Sequence, residues 1–215
     1  LHFSRYSFSH LFLQKQQGNI KLNPTIFFHP EAFTTSGPKL MGRNAAGESF
    51  INGFLKYSKY EEFWIQVQSS DHANDFLKKV SKLKSTKQVH IINKTSLSEL
   101  SKSGTLFFPG PTISDNAFHR QFFGASSWSI CGITHTTSSA KAMDSLVDLI
   151  TSPIQPWDAI ICTSKSVQKN VEILLQSQVD YLKDRLGITK FSLPKFPIIP
   201  LGINTSDFSF SQRQI

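Results

Sequence analysis

The sequence predicts an α/β protein: a Rossmann-like parallel sheet with helices on both faces. Two observations lead to this prediction. From about residue 25 onward, short apolar runs alternate with segments of helical spacing, which is the rhythm of successive strand–helix–strand units. The runs are apolar at consecutive positions, as expected for strands that helices cover on both sides.

The short apolar runs are predicted as strands, and each is bounded by turn residues or by a helical segment. They are residues 25–28, 63–67, 89–92, 104–108, 128–134, 159–162 and 196–199. The fourth run stops at Pro109, which supplies no backbone N–H to a neighbouring strand.

Helices are predicted between these strands, at residues 43–59, 71–83, 96–100, 118–123, 138–150 and 164–186. Asp71 and Ser96 are candidate N-caps, because their short polar side chains accept hydrogen bonds from the first turn. Gly187 is the expected end of the last helix, since glycine commonly follows the final helical residue.

Spacings of three and four residues predict which helix faces turn inward. In the first helix the predicted inner residues are Ala46, Phe50 and Phe54, with Ile51 and Leu55 beside them. In the fifth helix they are Ala142, Leu146 and Leu149. In the last helix they are Val167, Val171, Leu174, Gln178, Leu182 and Leu186.

The composition is that of a globular chain with a basic surface. Of 215 residues, 39% are hydrophobic, and the formal net charge is +8. This charge favours anionic partners, namely nucleic acid, an acidic membrane surface or phosphorylated substrates. The densest lysine group, at residues 78–87, is interpreted either as a basic patch or as an ordinary solvated helix face. No apolar run is long enough to predict a transmembrane helix.

The two cysteines, Cys131 and Cys162, each lie in an apolar run. This placement is typical of reduced thiols in the core of a cytoplasmic protein. Neither Cys-x-x-Cys nor His-x-x-x-His spacing occurs, so the sequence predicts no metal site.

The segment from Gly37 to Phe50 is the first candidate site. A strand, a glycine-bearing loop and a helix start in succession are typical of a site where backbone N–H groups bind a phosphate. Glycine at position 42 can take a positive φ there and let a ligand approach the backbone. The alternative is a turn glycine followed by a glycine, Gly47, that serves helix packing. The segment matches neither the dinucleotide-binding nor the P-loop glycine pattern.

His135 ends a predicted strand and is the second candidate. At that edge of a parallel sheet an imidazole can hold a sugar hydroxyl or ease the departure of a phosphate, and a purely structural hydrogen bond is the alternative. After Pro109 the sequence continues with Asp115, His119 and Arg120 over the same crevice. They are candidates to bind an acceptor. Solvated loop residues are the alternative for these three.

Two further segments follow predicted strands. Ser164 precedes the last helix and is a good N-cap, which is enough to explain it. Pro200 and Gly202 end the last predicted strand with a bend, as at a junction between domains.

Four segments together resemble the N-terminal half of a group 1 glycosyltransferase of the GT-B fold, often called family 4. They begin at Gly42, Gly132, Ala159 and Ile199: GRNAAGESF, GITH, AIICTSKSV and IPLGINTSDF. The last, which looks like the family's linker into its second domain, is the most specific. The resemblance covers about residues 25–208. It implies a tail or edge segment at 1–24, an acceptor-side domain at 25–200, and a linker toward a donor-binding domain at 201–215.

The resemblance also implies roles for residues. His135 would be catalytic and would contact the transferred sugar. Gly42 and Arg43 would bind the donor phosphate or sugar, while Asp115, Arg120 and Thr134 would bind the acceptor. Transfer would proceed with retention, without a metal or other cofactor, because helix dipoles and basic side chains hold the diphosphate. Since the chain stops at Ile215, we expect a fragment that folds but does not transfer sugar alone.

The partners implied are a nucleotide-sugar and a glycan, lipid-linked or protein acceptor, with no nucleic acid. The implied location is the cytoplasm, with peripheral contact at the inner surface of a membrane. Two alternatives remain. One is a non-catalytic Rossmann-like module that binds carbohydrate or nucleotide, and the other is a nucleic-acid-binding α/β domain suggested by charge alone.

Overall fold

The computed structural model describes residues 23–36 and 41–203. Three segments lie outside the described residues: the predicted tail up to residue 22, the opening of the glycine segment at residues 37–40, and the linker from residue 204 onward. No helix in the described part of the chain is long and apolar enough to cross a membrane.

Within these residues, six strands alternate with six α-helices. The strands are β1 (Thr25–Phe27), β2 (Glu62–Gln66), β3 (Gln88–Ile92), β4 (Thr105–Phe107), β5 (Ser129–Thr134) and β6 (Ala159–Cys162). The helices are α1 (Gly42–Tyr57), α2 (Ser70–Lys82), α3 (Leu100–Ser103), α4 (Ser114–Gln121), α5 (Ala140–Val147) and α6 (Lys165–Leu186). Short 3-10 helices cover Pro30–Phe33, Leu97–Glu99 and Asp148–Ile150. This parallel α/β arrangement is Rossmann-like and confirms the predicted fold class.

The described chain divides into two compact units. The first unit contains Asn23–Pro109, and the second contains Gly110–Ile198. In the first unit the strand order is β3-β2-β1-β4, and every neighbouring pair is parallel. In the second unit β5 pairs with β6, also in parallel.

Helices cover both faces of the sheet in the first unit. The chain passes from β1 to β3 in one direction and then back past β1 to β4. Because crossovers between parallel strands are right-handed as a rule, α3 is expected opposite α1 and α2. Contacts agree with this. On one face, the Phe54 ring of α1 lies 5.6 Å from the Phe63 ring of β2. On the other, the buried hydroxyl of Thr25 donates to Ser103 of α3 at 2.7 Å.

The second helix begins earlier than predicted. The N-cap of α2 is Ser69, whose hydroxyl accepts a hydrogen bond from the backbone N–H of His72. The prediction of Asp71 as N-cap is therefore wrong. Asp71 lies in the first turn, where its carboxylate still interacts favourably with the positive end of the helix dipole.

The predicted inner faces are right for α5 and shifted for α1 and α6. Ala142, Leu146 and Leu149 are buried as predicted. In α1 the buried apolar side chains are Ile51 and Leu55, whereas Phe50 is exposed. In α6 the buried residues are Val171, Leu175, Val179 and Leu182. Val171 and Leu182 are therefore buried as predicted, whereas Leu175 and Val179 are buried in place of their neighbours Leu174 and Gln178.

The last predicted strand, residues 196–199, is wrong. This segment makes only isolated parallel bridges to β6, which pair Ala159 with Lys195 and Cys162 with Ile198. The physical reason is that Pro197 has no N–H to donate to a ladder, although its carbonyl accepts from Cys162 N at 2.8 Å.

Gly47 lets α1 pack directly on the 3-10 helix before it. A Cβ built at position 47 would lie 1.9 Å from the carbonyl oxygen of Ala32. Asn44 is buried on the same side of α1, and its amide donates to the Glu31 carbonyl at 2.6 Å. The packing interpretation of Gly47 is therefore confirmed.

We expect Gly47→Ala to lower the free energy of unfolding by about 1–3 kcal/mol, because backbone must move to admit the methyl group. Gly42→Ala is the matched control. A Cβ at position 42 meets no atom of the described residues within 4 Å, so this variant should be neutral or slightly stabilising. Urea unfolding of both variants checks the prediction, and equal midpoints would contradict it.

Candidate functional site

In a parallel α/β sheet, ligands bind beyond the carboxyl ends of the strands, near the point where the strand order reverses. In the first unit this point lies between β1 and β4. Aromatic rings line it: Phe27 and Phe108 lie 4.8 Å apart, and Phe28 stacks on Phe33 at 5.4 Å. The reversal point is therefore apolar, and the polar groups of this edge lie beside it.

Gly42 and Arg43 form the first turn of α1, in the first unit. Gly42 is helical, and the positive-φ glycines of the described residues are Gly104, Gly124 and Gly187. Gly42 therefore does not use the positive φ that a glycine permits. The Arg43 guanidinium is exposed and lies 3.4 Å from the Glu31 carboxylate, a pair that solvent screens strongly.

The start of α1 has no side-chain cap from Met41, its N-cap residue. Asn44 takes part of that role, because its side-chain oxygen accepts from Met41 N at 3.0 Å. The exposed N–H groups of the first turn carry the positive end of the helix dipole, which suits an anion.

A cleft of about 510 Å³ lies beyond the carboxyl ends of β2 and β3. This volume suits a small-molecule ligand. The start of α2, with Ser69 and Asn74, forms one side, and Lys94 and Thr95 form the other. The Lys94 turn is held by Asn93, whose side-chain oxygen accepts from Thr95 N at 2.9 Å.

Two histidines come together at the ends of β1 and β2. The rings of His29 and His72 have their centroids 4.5 Å apart and are inclined by 71°. Burial, together with the neighbouring His72, lowers the pKa of His29, against an opposing effect of Glu31. His29 is therefore held in its neutral form at pH 7.

A third polar cluster joins β2 and β3. The Glu62 carboxylate accepts from Trp64 Nε1 at 2.7 Å and lies 2.8 Å from His90 Nε2, and the indole and imidazole rings stack at 4.1 Å. The hydrogen bond from Trp64 lowers the pKa of Glu62, and His90 acts in the same direction. These three side chains satisfy one another, so we interpret the cluster as structural.

In the second unit, Thr134 and His135 mark the carboxyl end of β5. Thr134 is fully buried, and its Oγ1 has no hydrogen-bond partner among the described residues. A buried hydroxyl without a partner is costly, so such groups often belong to binding sites. His135 follows directly and is half-buried.

Gly132 lets a loop cross β5 closely, just before these two residues. The carbonyl oxygen of Gly110 accepts from Ile133 N at 3.0 Å. A Cβ at position 132 would lie 2.6 Å from that same oxygen. The loop leading to α4 is thus fixed against the half of β5 that ends at His135.

Arg120 is not a surface residue. It lies on α4, is fully buried, and donates to both carboxylate oxygens of Asp158 at 2.6 and 2.7 Å. It also donates to the carbonyls of Trp128 and Pro153. The prediction of an exposed, acceptor-binding Arg120 is therefore corrected, because its donors are turned to the interior.

Asp115 and His119 are exposed on α4, which begins at Ser114 rather than at residue 118 as predicted. Asp115 therefore lies on the helix and not in the loop before it. Arg120 binds near the start of β5, about 13 Å from its end at a rise of 3.3 Å per residue. The structure thus does not bring Arg120 and His135 into one group.

Burial raises the pKa of the Cys131 and Cys162 thiols to about 12. Both are therefore protonated at pH 7 and poor nucleophiles, which fits core packing. In the described part of the chain, no group of three or more His, Cys, Asp and Glu side chains is arranged to hold a metal ion.

His29, His72 and Lys94 were not among the residues predicted for a site. Each follows a strand or opens the helix after it, so the signal lay in their positions rather than in a motif. A search of the residues after each predicted strand and of the first turn of the helix that follows would have included all three.

The chain was compared with protein-family models, with curated proteins and with solved structures, and none of them matches it.

We expect Arg120→Met to destabilise the protein by about 3–5 kcal/mol, because it leaves the buried Asp158 carboxylate without its partner. Arg185→Met, at an exposed arginine of α6, removes the same charge and should be close to neutral. Urea unfolding of the two variants measures the difference. If both variants unfold at the same urea concentration, the ion pair contributes nothing to stability.

Proposed function

We propose that this chain is the acceptor-side domain of a nucleotide-sugar-dependent glycosyltransferase that retains the configuration of the transferred sugar. The observation that carries the proposal is the end of β5. There the hydroxyl of Thr134, which has no partner in the described part of the chain, precedes the half-buried imidazole of His135. The Rossmann-like fold and the four segments that resemble family 4 glycosyltransferases support it.

In this proposal His135 contacts the sugar that is transferred. An imidazole at that point donates a hydrogen bond to a sugar hydroxyl and, when protonated, stabilises the negative charge that develops on the leaving diphosphate. Thr134 supplies a hydroxyl that is already desolvated, so it gains a hydrogen bond on binding without losing one to water.

Gly42 and Arg43 are proposed to meet the donor phosphate. The first turn of α1 offers exposed backbone N–H groups at the positive end of a 16-residue helix. The weak pairing of Arg43 with Glu31 leaves its guanidinium available to a stronger anion. Asp115, exposed on α4, is retained as a proposed acceptor contact, and Arg120 is not.

In this proposal a second α/β domain, joined after residue 215, makes the main contacts to the diphosphate. The reaction takes place in the cytoplasm, with peripheral contact to a membrane. The net charge of +8 suits an anionic or membrane-borne acceptor. The gene sequence beyond residue 215 is the first check. Absence of a second α/β domain there would overturn the proposal.

For the protein with its donor domain, we expect His135→Ala to lower kcat at least about a hundredfold, since it removes a group aimed at developing charge. Thr134→Val keeps the side-chain shape and removes only the hydroxyl. It should raise KM for the acceptor about tenfold while leaving the melting temperature unchanged or slightly higher.

The control for both is Tyr181→Ala, at an exposed aromatic side chain of α6 in the same unit. It should keep full transfer of labelled sugar from UDP- or GDP-hexose donors. Wild-type turnover in His135→Ala would contradict the role of the imidazole.

A second candidate function is a non-catalytic module that binds a nucleotide or carbohydrate. The cleft between α2 and the Lys94 turn favours it, because the first unit forms this cleft alone and needs no other domain. Lys94 is its cation, and Ser69 and Asn74 offer hydrogen-bonding groups suited to a sugar or a phosphate.

If the cleft binds anionic nucleotides, the isolated chain should bind UDP or ADP saturably, and Lys94→Ala should weaken that binding about tenfold or more. Lys82→Ala, at the other end of α2, changes the net charge equally and should bind as wild type. Isothermal titration calorimetry measures both variants. Equal affinities in the two variants would place binding outside the cleft.

A further inference from the structure

Two histidines of the first unit lie at the carboxyl ends of neighbouring parallel strands. His29 follows β1 after a single residue, Phe28, and His72 lies in the first turn of α2, which follows β2. The strands pair in parallel with Phe27 opposite Gln66, so their ends lie side by side. Residues far apart in the chain are thus brought together at the ligand-binding edge of the sheet.

The geometry of the two rings suits a shared ligand. Their centroids are 4.5 Å apart, and the rings are inclined by 71°. The Nδ1 of His72 is buried and has no hydrogen-bond partner among the described residues. A buried nitrogen of this kind either lacks a hydrogen bond at a cost or binds something that the polypeptide does not supply.

The backbone holds both histidines in place. Phe28 N donates to the Gln66 carbonyl at 2.8 Å, which ties the His29 segment to β2. The His29 carbonyl accepts from Ala32 N at 2.9 Å, and His72 N donates to the Ser69 hydroxyl at 3.3 Å. The rings therefore stand on fixed backbone, as a preorganised binding site requires.

We propose that His29 and His72 form a two-imidazole site for a borderline transition-metal dication, Cu(II), Ni(II) or Zn(II). Imidazole nitrogen is a preferred ligand of all three ions. With metal–nitrogen bonds of about 2.0–2.1 Å, two imidazoles on one ion have ring centres about 5 Å apart, close to the observed separation.

Water completes the coordination in this proposal, and exposed carboxylates lie close in sequence, with Glu31 after His29 and Asp71 before His72. Glu31 is near enough to influence His29 electrostatically. Two protein ligands bind more weakly than the three or four of dedicated metal sites, so we expect a regulatory or accessory ion rather than a structural one. The site does not depend on the proposed transferase function.

The probes are CuCl₂, NiCl₂ and ZnCl₂, each added alone to the untagged chain. Calorimetry should show one saturable site, and the electron paramagnetic resonance spectrum of the Cu(II) complex should show coupling to two imidazole nitrogens. His29→Gln and His72→Gln should each lower the affinity at least tenfold. His119→Gln, at an exposed histidine of the second unit, should leave it unchanged.

The spectrum of the wild-type chain tests the site even where a variant folds poorly, and circular dichroism identifies such variants. The absence of saturable binding would overturn the proposal. Nitrogen coupling that persists unchanged in both histidine variants would overturn it too, because the ion would then lie on other histidines.

Discussion

The second unit depends on one buried carboxylate. Asp158, directly before β6, accepts two hydrogen bonds from Arg120 of α4, one from Ile130 N in β5 and one from Gln155 N in the preceding loop. Four charge-assisted bonds offset the cost of burying the ion pair, and breaking them from one side would leave an uncompensated charge. Helix, loop and both strands are thus fixed together at the end of β5 opposite His135.

The first unit is organised by close backbone packing rather than by charge. Gly47 admits the Ala32 carbonyl against α1, and Asn44 bonds both Met41 N and the Glu31 carbonyl. These contacts set the start of α1, whose first turn is the proposed phosphate contact. They also hold the 3-10 helix that follows His29, so the helix start and the histidine pair share one support. In the glycine segment, Gly47 therefore serves packing. Only the first turn of α1 remains available for binding a ligand.

The sequence predicted most of the fold, because alternating apolar runs and helical spacings report burial directly. The prediction failed for residues whose contacts come from distant parts of the chain. Arg120 was predicted to contact an acceptor, because nothing near it in sequence shows that Asp158 lies opposite. His29 and His72 carry no metal-binding spacing, since only the pairing of β1 with β2 brings them together. Gly42 shows the converse, because glycine permits a special backbone conformation and the residue is ordinary helix.

The two proposed functions differ in what each unit must supply. A transferase needs the end of β5, and the buried Thr134 hydroxyl has no evident use in the fold itself. A stand-alone binding module needs only the cleft beside Lys94, whose walls belong to the first unit. The orphaned hydroxyl favours the transferase, because an unsatisfied buried group costs stability that a ligand would restore, whereas an open polar cleft costs nothing when empty.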